Sequence, residues 1–109
     1  MEQFLSDKKM LGYRLMNLYP DICCFSTTRH GGYSTGRYAS FNCNPYCGDI
    51  SEAVEKNKAL LLSLLPDSVR LLAIPHQVHG TEVFPIQNSF FKQTEEERRL
   101  ALEGIDALV

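Results

Sequence analysis

The chain has 109 residues, 44% of them hydrophobic and 22% charged, with a formal net charge of −2 at pH 7. That balance belongs to an ordinary globular chain of one domain at most, and excludes a disordered or fibrous protein. The 11 basic residues are scattered, with Lys8-Lys9 and Arg98-Arg99 the only adjacent pairs, so no electrostatic footprint for nucleic acid is present.

No apolar run reaches the roughly 18 to 20 residues that a membrane-spanning helix needs. The N-terminal stretch Met1 to Lys9 carries acidic residues and lacks the apolar centre of a secretory signal, which points to the cytoplasm. There the four cysteines are expected to be reduced. Cys23 and Cys24 are neighbours in a strand-like segment that sends them to opposite faces and are expected to be core thiols, and Cys43 and Cys47 read as small apolar fillers.

In chain order, Leu11 to Leu18 reads as a short strand before the turn Tyr19-Pro20-Asp21, and Ile22 to Thr28 as a buried strand. From Arg29 to Gly48 turn-formers dominate, interleaved with Tyr33, Tyr38, Phe41 and Tyr46. A loop of that length is often functional, and its aromatic rings need somewhere to pack, so it is expected to be ordered. Asp49 with Glu52 forms a capping-box pattern for a helix running to about Leu65, with Val54, Leu61 and Leu65 on its apolar stripe and Pro66 stopping it.

Val69 to Ile74 is a near-continuous apolar run that suits a strand covered on both faces. Glu82 to Ile86 alternates as a strand, with Pro85 implying an edge or an end, and Gln87 to Gln93 reads as a loop. Thr94 can cap a second helix through Leu102, with Glu95, Glu96 and Glu97 at its positive end and Gly104 terminating it. Ile105 to Val109 begins another apolar strand, within which the sequence stops. Residues 1–109 are therefore expected to be the N-terminal portion of a longer single domain, and an exposed strand there would favour instability or self-association.

Three places could carry chemistry. His79, in the turn Pro75-His76-Gln77-Val78-His79-Gly80, is the candidate metal ligand, although a lone histidine is more often a surface or hydrogen-bonded core group. A catalytic zinc needs about three protein ligands, so His79 alone would be one part of a site. His76 makes a His-x-x-His pair with it, but Pro75 and Gly80 argue against the helix that would align them, and His76 is taken as structural or incidental. Arg29, with Gly31 and Gly32 after a strand, could cradle an anion, and Ser34, Thr35, Ser40 and Asn42 add polar groups; each could equally be ordinary turn chemistry. An in-chain zinc site from Cys43, Cys47 and His30 or His79 lacks the usual paired spacing.

Phe25 to Ser34, Tyr38-Ala39-Ser40-Phe41-Asn42, Gly48-Asp49, Val54 with Asn57, Gln77-Val78-His79-Gly80 and Asp106-Ala107-Leu108-Val109, in this order, resemble the laccase-domain family. Its members are also described as polyphenol oxidase-like proteins, peptidoglycan-editing factors and purine nucleoside phosphorylases. The resemblance implies an α/β (α+β) fold, a layered α/β/β/α sandwich with mixed sheets. It also implies a zinc-dependent enzyme that phosphorolyses adenosine, inosine, guanosine and methylthioadenosine and deaminates adenosine.

On that resemblance His79 is the catalytic-site zinc ligand, while the family's cysteine and second histidine lie in motifs absent from residues 1–109. Arg29, Gly31, Gly32, Ser40 and Asn42 are the candidate substrate-binding residues, and purine nucleoside and phosphate the expected partners, with no nucleic acid or membrane and a homo-oligomer left open. This chain alone is expected to be inactive. Two alternatives stand beside this reading. One is a small non-catalytic domain for a nucleotide-like ligand or a protein partner. The other is a copper-dependent phenol oxidase, which the three histidines of this chain do not support.

Overall fold

The computed structural model describes residues 2–3 and 10–109, which fall into two compact units divided between Leu71 and Leu72. Most of the N-terminal stretch read for a signal, including Lys8-Lys9, lies outside the described residues. Helices and strands both contribute, in keeping with the expected α/β class.

In the first unit, β1 (Glu2–Gln3), β2 (Met10–Gly12) and β3 (Phe25–Thr27) form an antiparallel sheet in the order β1-β2-β3, with Leu11 opposite Gln3 on one side and Ser26 on the other. The strand expected over Leu11 to Leu18 survives only at its start. Residues Arg14–Leu18 form a 3-10 helix instead, leaving Leu15 and Leu18 exposed. The next strand is also shorter than its apolar run. The Ile22 N–H donates to the Tyr19 carbonyl at 3.0 Å, so Ile22 still belongs to the turn and stays exposed.

Helix α1 (Ser51–Leu64) ends beside Leu65 and Pro66, as its sequence requires. Its start differs from expectation. Ile50 occupies the N-cap with no side-chain cap bond, because the Asp49 carboxylate is engaged by Ser34, Asn42 and the Ile50 N–H. Of the expected apolar stripe Val54 is fully buried, whereas Leu61 and Leu65 remain partly exposed. Beyond the helix, residues 69–74 form no strand, and Val69 is exposed. An extended run becomes a sheet member only when a neighbour takes up its N–H and C=O groups, and no such partner for it occurs among the described residues.

The second unit is built on β4 (Val83–Phe84) and β5 (Ala107–Leu108), paired in parallel with Val83 opposite Ala107. Flanking bonds extend the ladder, from Ile86 N–H to the Val109 carbonyl at 2.8 Å and from Asp106 N–H to the Glu82 carbonyl at 2.9 Å. Pro85, which can donate nothing, directly follows β4, as expected of a strand end. The expected loop over Gln87 to Gln93 contains a 3-10 helix, Asn88–Lys92, because Phe90 has a place to go. That ring is 3% exposed and packs 6.0 Å from Phe84 and 5.9 Å from Phe91.

Helix α2 (Glu95–Ala101) starts as anticipated, with Thr94 Oγ1 accepting the Glu97 N–H at 3.1 Å. Gly104, at φ 75°, turns the chain into β5 through the left-handed region. Between the two elements, His76 bridges Glu103 in parallel fashion, its N–H donating to the Leu102 carbonyl and its own carbonyl accepting from Gly104, each at 3.0 Å.

Candidate functional site

The arginine loop of the first unit is ordered chiefly by one buried amide. Asn57 sits on α1 three residues after Val54, on the same helix face, and is 0% exposed. Its Oδ1 accepts the Tyr33 N–H at 2.7 Å, and its Nδ2 donates to Ser34 Oγ at 2.9 Å and to the Asn42 carbonyl at 2.7 Å. A second ring of bonds closes around Asp49, whose Oδ2 accepts from Ser34 Oγ at 2.5 Å and from Asn42 Nδ2 at 3.1 Å. These bonds, the Ser34 bond foremost and against the opposing effect of desolvation, hold the Asp49 carboxyl below the usual carboxylate range.

Aromatic packing contributes less to this loop than the sequence suggests. Phe41 is buried at 4% exposure, but Tyr33 is 56% exposed and Tyr38 is fixed by its hydroxyl donating to the Cys47 carbonyl at 2.6 Å. Polar bonds order the loop because most of its backbone cannot join the sheet and its groups must still be paired.

The candidate binding residues occupy distinct places in this loop. Ser40 Oγ donates to the Arg29 carbonyl at 2.9 Å and accepts the Gly32 N–H at 3.1 Å, while the Arg29 carbonyl also accepts the N–H groups of Ser40 and Phe41. Gly32 is needed for close approach of chain to chain. A Cβ there would lie 2.2 Å from the Ser40 carbonyl oxygen, 2.5 Å from Phe41 Cα and 2.7 Å from Asn57 Oδ1. Gly31, at φ 91°, makes the preceding turn. Arg29 is exposed, its Nε donating to the Ala39 carbonyl at 3.1 Å. Arg29, Arg37, Tyr38 and Asn42 line one cavity of about 450 Å³.

The histidine turn of the second unit is clamped by Asp106. Its Oδ1 accepts the N–H groups of Val78 at 2.9 Å and His79 at 2.7 Å, and its Oδ2 that of Gly80 at 2.9 Å. His79 itself has φ 61°, the left-handed conformation that a non-glycine residue holds only when its surroundings dictate it. Its imidazole is exposed. His76 has a separate task, its Nδ1 lying 2.8 Å from Glu103 Oε1 beside the backbone bridge, which agrees with a structural reading.

Among the described residues no three His, Cys, Asp or Glu side chains come together to hold a metal. The Asp106 carboxylate, bonded to the backbone of the histidine turn, is committed to those N–H groups. His79 can supply one ligand, but the described residues do not by themselves fit a zinc centre. The cysteines are free thiols, with Cys23 and Cys47 exposed instead of serving as core fillers. Burial pushes the Cys43 thiol up, partly countered by the nearby Lys58 ammonium.

Two positions that organise both places were given no role by their residue type alone. Asn57 is a polar residue within an apolar helix face, and Asp106 is an acid inside an apolar run. In each case the mismatch with the surrounding pattern is the available signal.

Comparison with known proteins places this geometry. A family model described as multi-copper polyphenol oxidoreductase laccase matches residues 23–109. The chain is 41% identical over all 109 of its residues to a purine nucleoside phosphorylase of Bacteroides thetaiotaomicron, covering 40% of that protein. It is 37% identical over 75 residues to a purine nucleoside phosphorylase of Haemophilus influenzae, spanning 67% of this chain and 30% of the relative. To a protein named adenosine deaminase RL5, from an unknown prokaryotic organism, it is 34% identical over 85 residues, 78% of this chain and 32% of the relative. The chain thus spans well under half the length of these relatives. The matched span holds the arginine loop with its Asn57 hub and the histidine turn with its Asp106 clamp, and this chain belongs to the multi-copper polyphenol oxidoreductase laccase family.

Proposed function

We propose that residues 1–109 form the N-terminal portion of a cytoplasmic, zinc-dependent purine nucleoside phosphorylase of layered α/β/β/α architecture that also deaminates adenosine. The observation that carries this reading is the alignment of all 109 residues, at 41% identity, with a protein named purine nucleoside phosphorylase. The copper-oxidase reading rests on the family's description alone, whereas the relatives compared above carry nucleoside names. No helix among the described residues is long and apolar enough to cross a membrane.

In phosphorolysis a phosphate oxygen attacks C1′ of the nucleoside, the N-glycosidic bond breaks, and the purine leaves with the bonding pair and takes up a proton. The substrates are adenosine, inosine, guanosine and methylthioadenosine. A protein assists by holding the phosphate against C1′ and by balancing charge as it moves. Arg29 supplies a permanently charged fork for the phosphate, with the Gly31-Gly32 segment shaping the turn beside it. Ser40 and Asn42 support that task by ordering the loop, since their side chains bond Arg29, Gly32 and Asp49. His79 provides one metal ligand, the others coming from residues outside this chain.

The test uses a protein of the relatives' full length that carries this chain. Release of hypoxanthine from inosine should require phosphate, and Arg29→Ala should raise KM for phosphate. Release that is indifferent to phosphate, or an Arg29→Ala variant with unchanged KM for phosphate and unchanged turnover, sinks the proposal.

A further inference from the structure

We infer that the cavity beside β3 is a phosphoryl-dianion site in which Arg37, a residue so far without a role, is the second cation beside Arg29. The inference rests on the phosphorylase reading above and adds to it the place and the partner residue for the phosphoryl group.

The cavity, about 450 Å³, is lined by Thr27, Thr28, Arg29, Arg37, Tyr38 and Asn42 among others, and no carboxylate lines it. Its volume lies within the range of small-ligand sites. Two arginines therefore line one space whose lining, among the described residues, includes no acid. Neither arginine makes an ion pair with a carboxylate among the described residues. Unneutralised paired cations repel each other, and an anion of two charges is the natural occupant of such a space.

Each guanidinium is held in a way that favours this use. Arg29 is oriented through Nε, which donates to the Ala39 carbonyl at 3.1 Å, so its terminal nitrogens are the part left to grip a ligand. Arg37 lies over the ring of Tyr38, 5.5 Å from its centroid. That ring is anchored in turn by its hydroxyl bond to the Cys47 carbonyl at 2.6 Å. A cation–π contact restrains the guanidinium while its N–H groups can still donate, and a guanidinium fork can meet two phosphate oxygens at once. Arg37 also sits in the short 3-10 segment Gly36–Tyr38, so its backbone is fixed.

The phosphoryl group has two sources in this reaction, inorganic phosphate and the sugar 1-phosphate product, and the experiment separates them. With the full-length enzyme, inorganic phosphate and ribose 1-phosphate are each titrated calorimetrically into the wild type, Arg37→Ala and Arg37→Lys. Loss of a bidentate, charge-assisted contact should weaken binding about tenfold or more in Arg37→Ala, with Arg37→Lys intermediate, while KM for inosine stays within about twofold. Weakening for inorganic phosphate alone assigns the site to the free anion; weakening for both assigns it to the phosphoryl group through the whole reaction.

Equal phosphate affinity in wild type and Arg37→Ala, or no phosphate binding by the wild type, overturns the inference. Arg37-dependent phosphate binding without purine release would leave the site standing and remove the phosphorylase reading. Purine release with KM for phosphate untouched by Arg37→Ala would do the reverse.

Discussion

Removing the Asp106 carboxylate should loosen the histidine turn by an amount that can be worked from the structure. One side chain accepts three consecutive N–H groups at 2.7 to 2.9 Å. The donors are exposed, so water can replace the lost partner and each bond contributes only the ordinary net value, about 1 kcal/mol. The sum, about 3 kcal/mol, is reduced because His79 can then relax from its left-handed conformation, recovering about 1 kcal/mol. Asp106→Ala should therefore cost the turn about 2 kcal/mol of local stability, or roughly 30-fold in its opening equilibrium.

Asp106→Asn keeps the oxygen that serves Val78 and His79 but can turn an amide N–H₂ toward Gly80, and should cost about 1 kcal/mol, roughly fivefold. The assay is amide hydrogen exchange at residues 78–80 in the full-length protein, with the amides of α1 as an unchanged internal reference. Unaltered exchange at 78–80 in Asp106→Ala would refute the clamp. Equal acceleration by Asn and Ala would refute the assignment of one oxygen to two donors.

Other expectations follow from the arginine loop. Gly32→Ala would force a methyl group against backbone atoms that cannot swing aside, and should destabilise by at least about 3 kcal/mol, read as a lower denaturant midpoint. Because the Asp49 carboxyl is held below the usual range, its contribution to stability is present above the unfolded value of about 3.9 and is lost as pH falls through the lower folded value. Acid unfolding of Asp49→Asn should accordingly show a shallower pH dependence below about pH 4 than the wild type; matching slopes would remove Asp49 from the account. Alkylation at neutral pH should modify the exposed Cys23 and Cys47 before Cys43, whose thiol is raised by burial, and mass mapping that found Cys43 first would contradict its placement.

Local signals made both helices legible. Pro66 stops α1, and Thr94 with three following glutamates starts α2, features that act within a turn of the chain. Strands were harder to read because pairing is not local: Ile22 and residues 69–74 have strand composition, yet one lies in a turn and the others find no ladder partner among the described residues. The same distinction runs through the candidate site. Arg29 and His79 could be nominated from residue type and flanking glycines, but the groups that hold their segments, Asn57 and Asp106, lie 24 residues from Tyr33 and 27 from His79. Asp49 stands at the capping position of α1 in sequence, yet its carboxylate is taken by Ser34, distant in sequence, which the fold brings to 2.5 Å.

The central claim is that His79, locked into its turn, serves phosphate-dependent purine release. Its most direct test is the rate of hypoxanthine release from inosine by the full-length protein, with and without phosphate, for the wild type and His79→Ala. The account predicts phosphate-dependent release in the wild type and its loss in His79→Ala, with denaturant stability of the variant retained. Release that proceeds without phosphate, or that survives in His79→Ala at the wild-type rate, would contradict it.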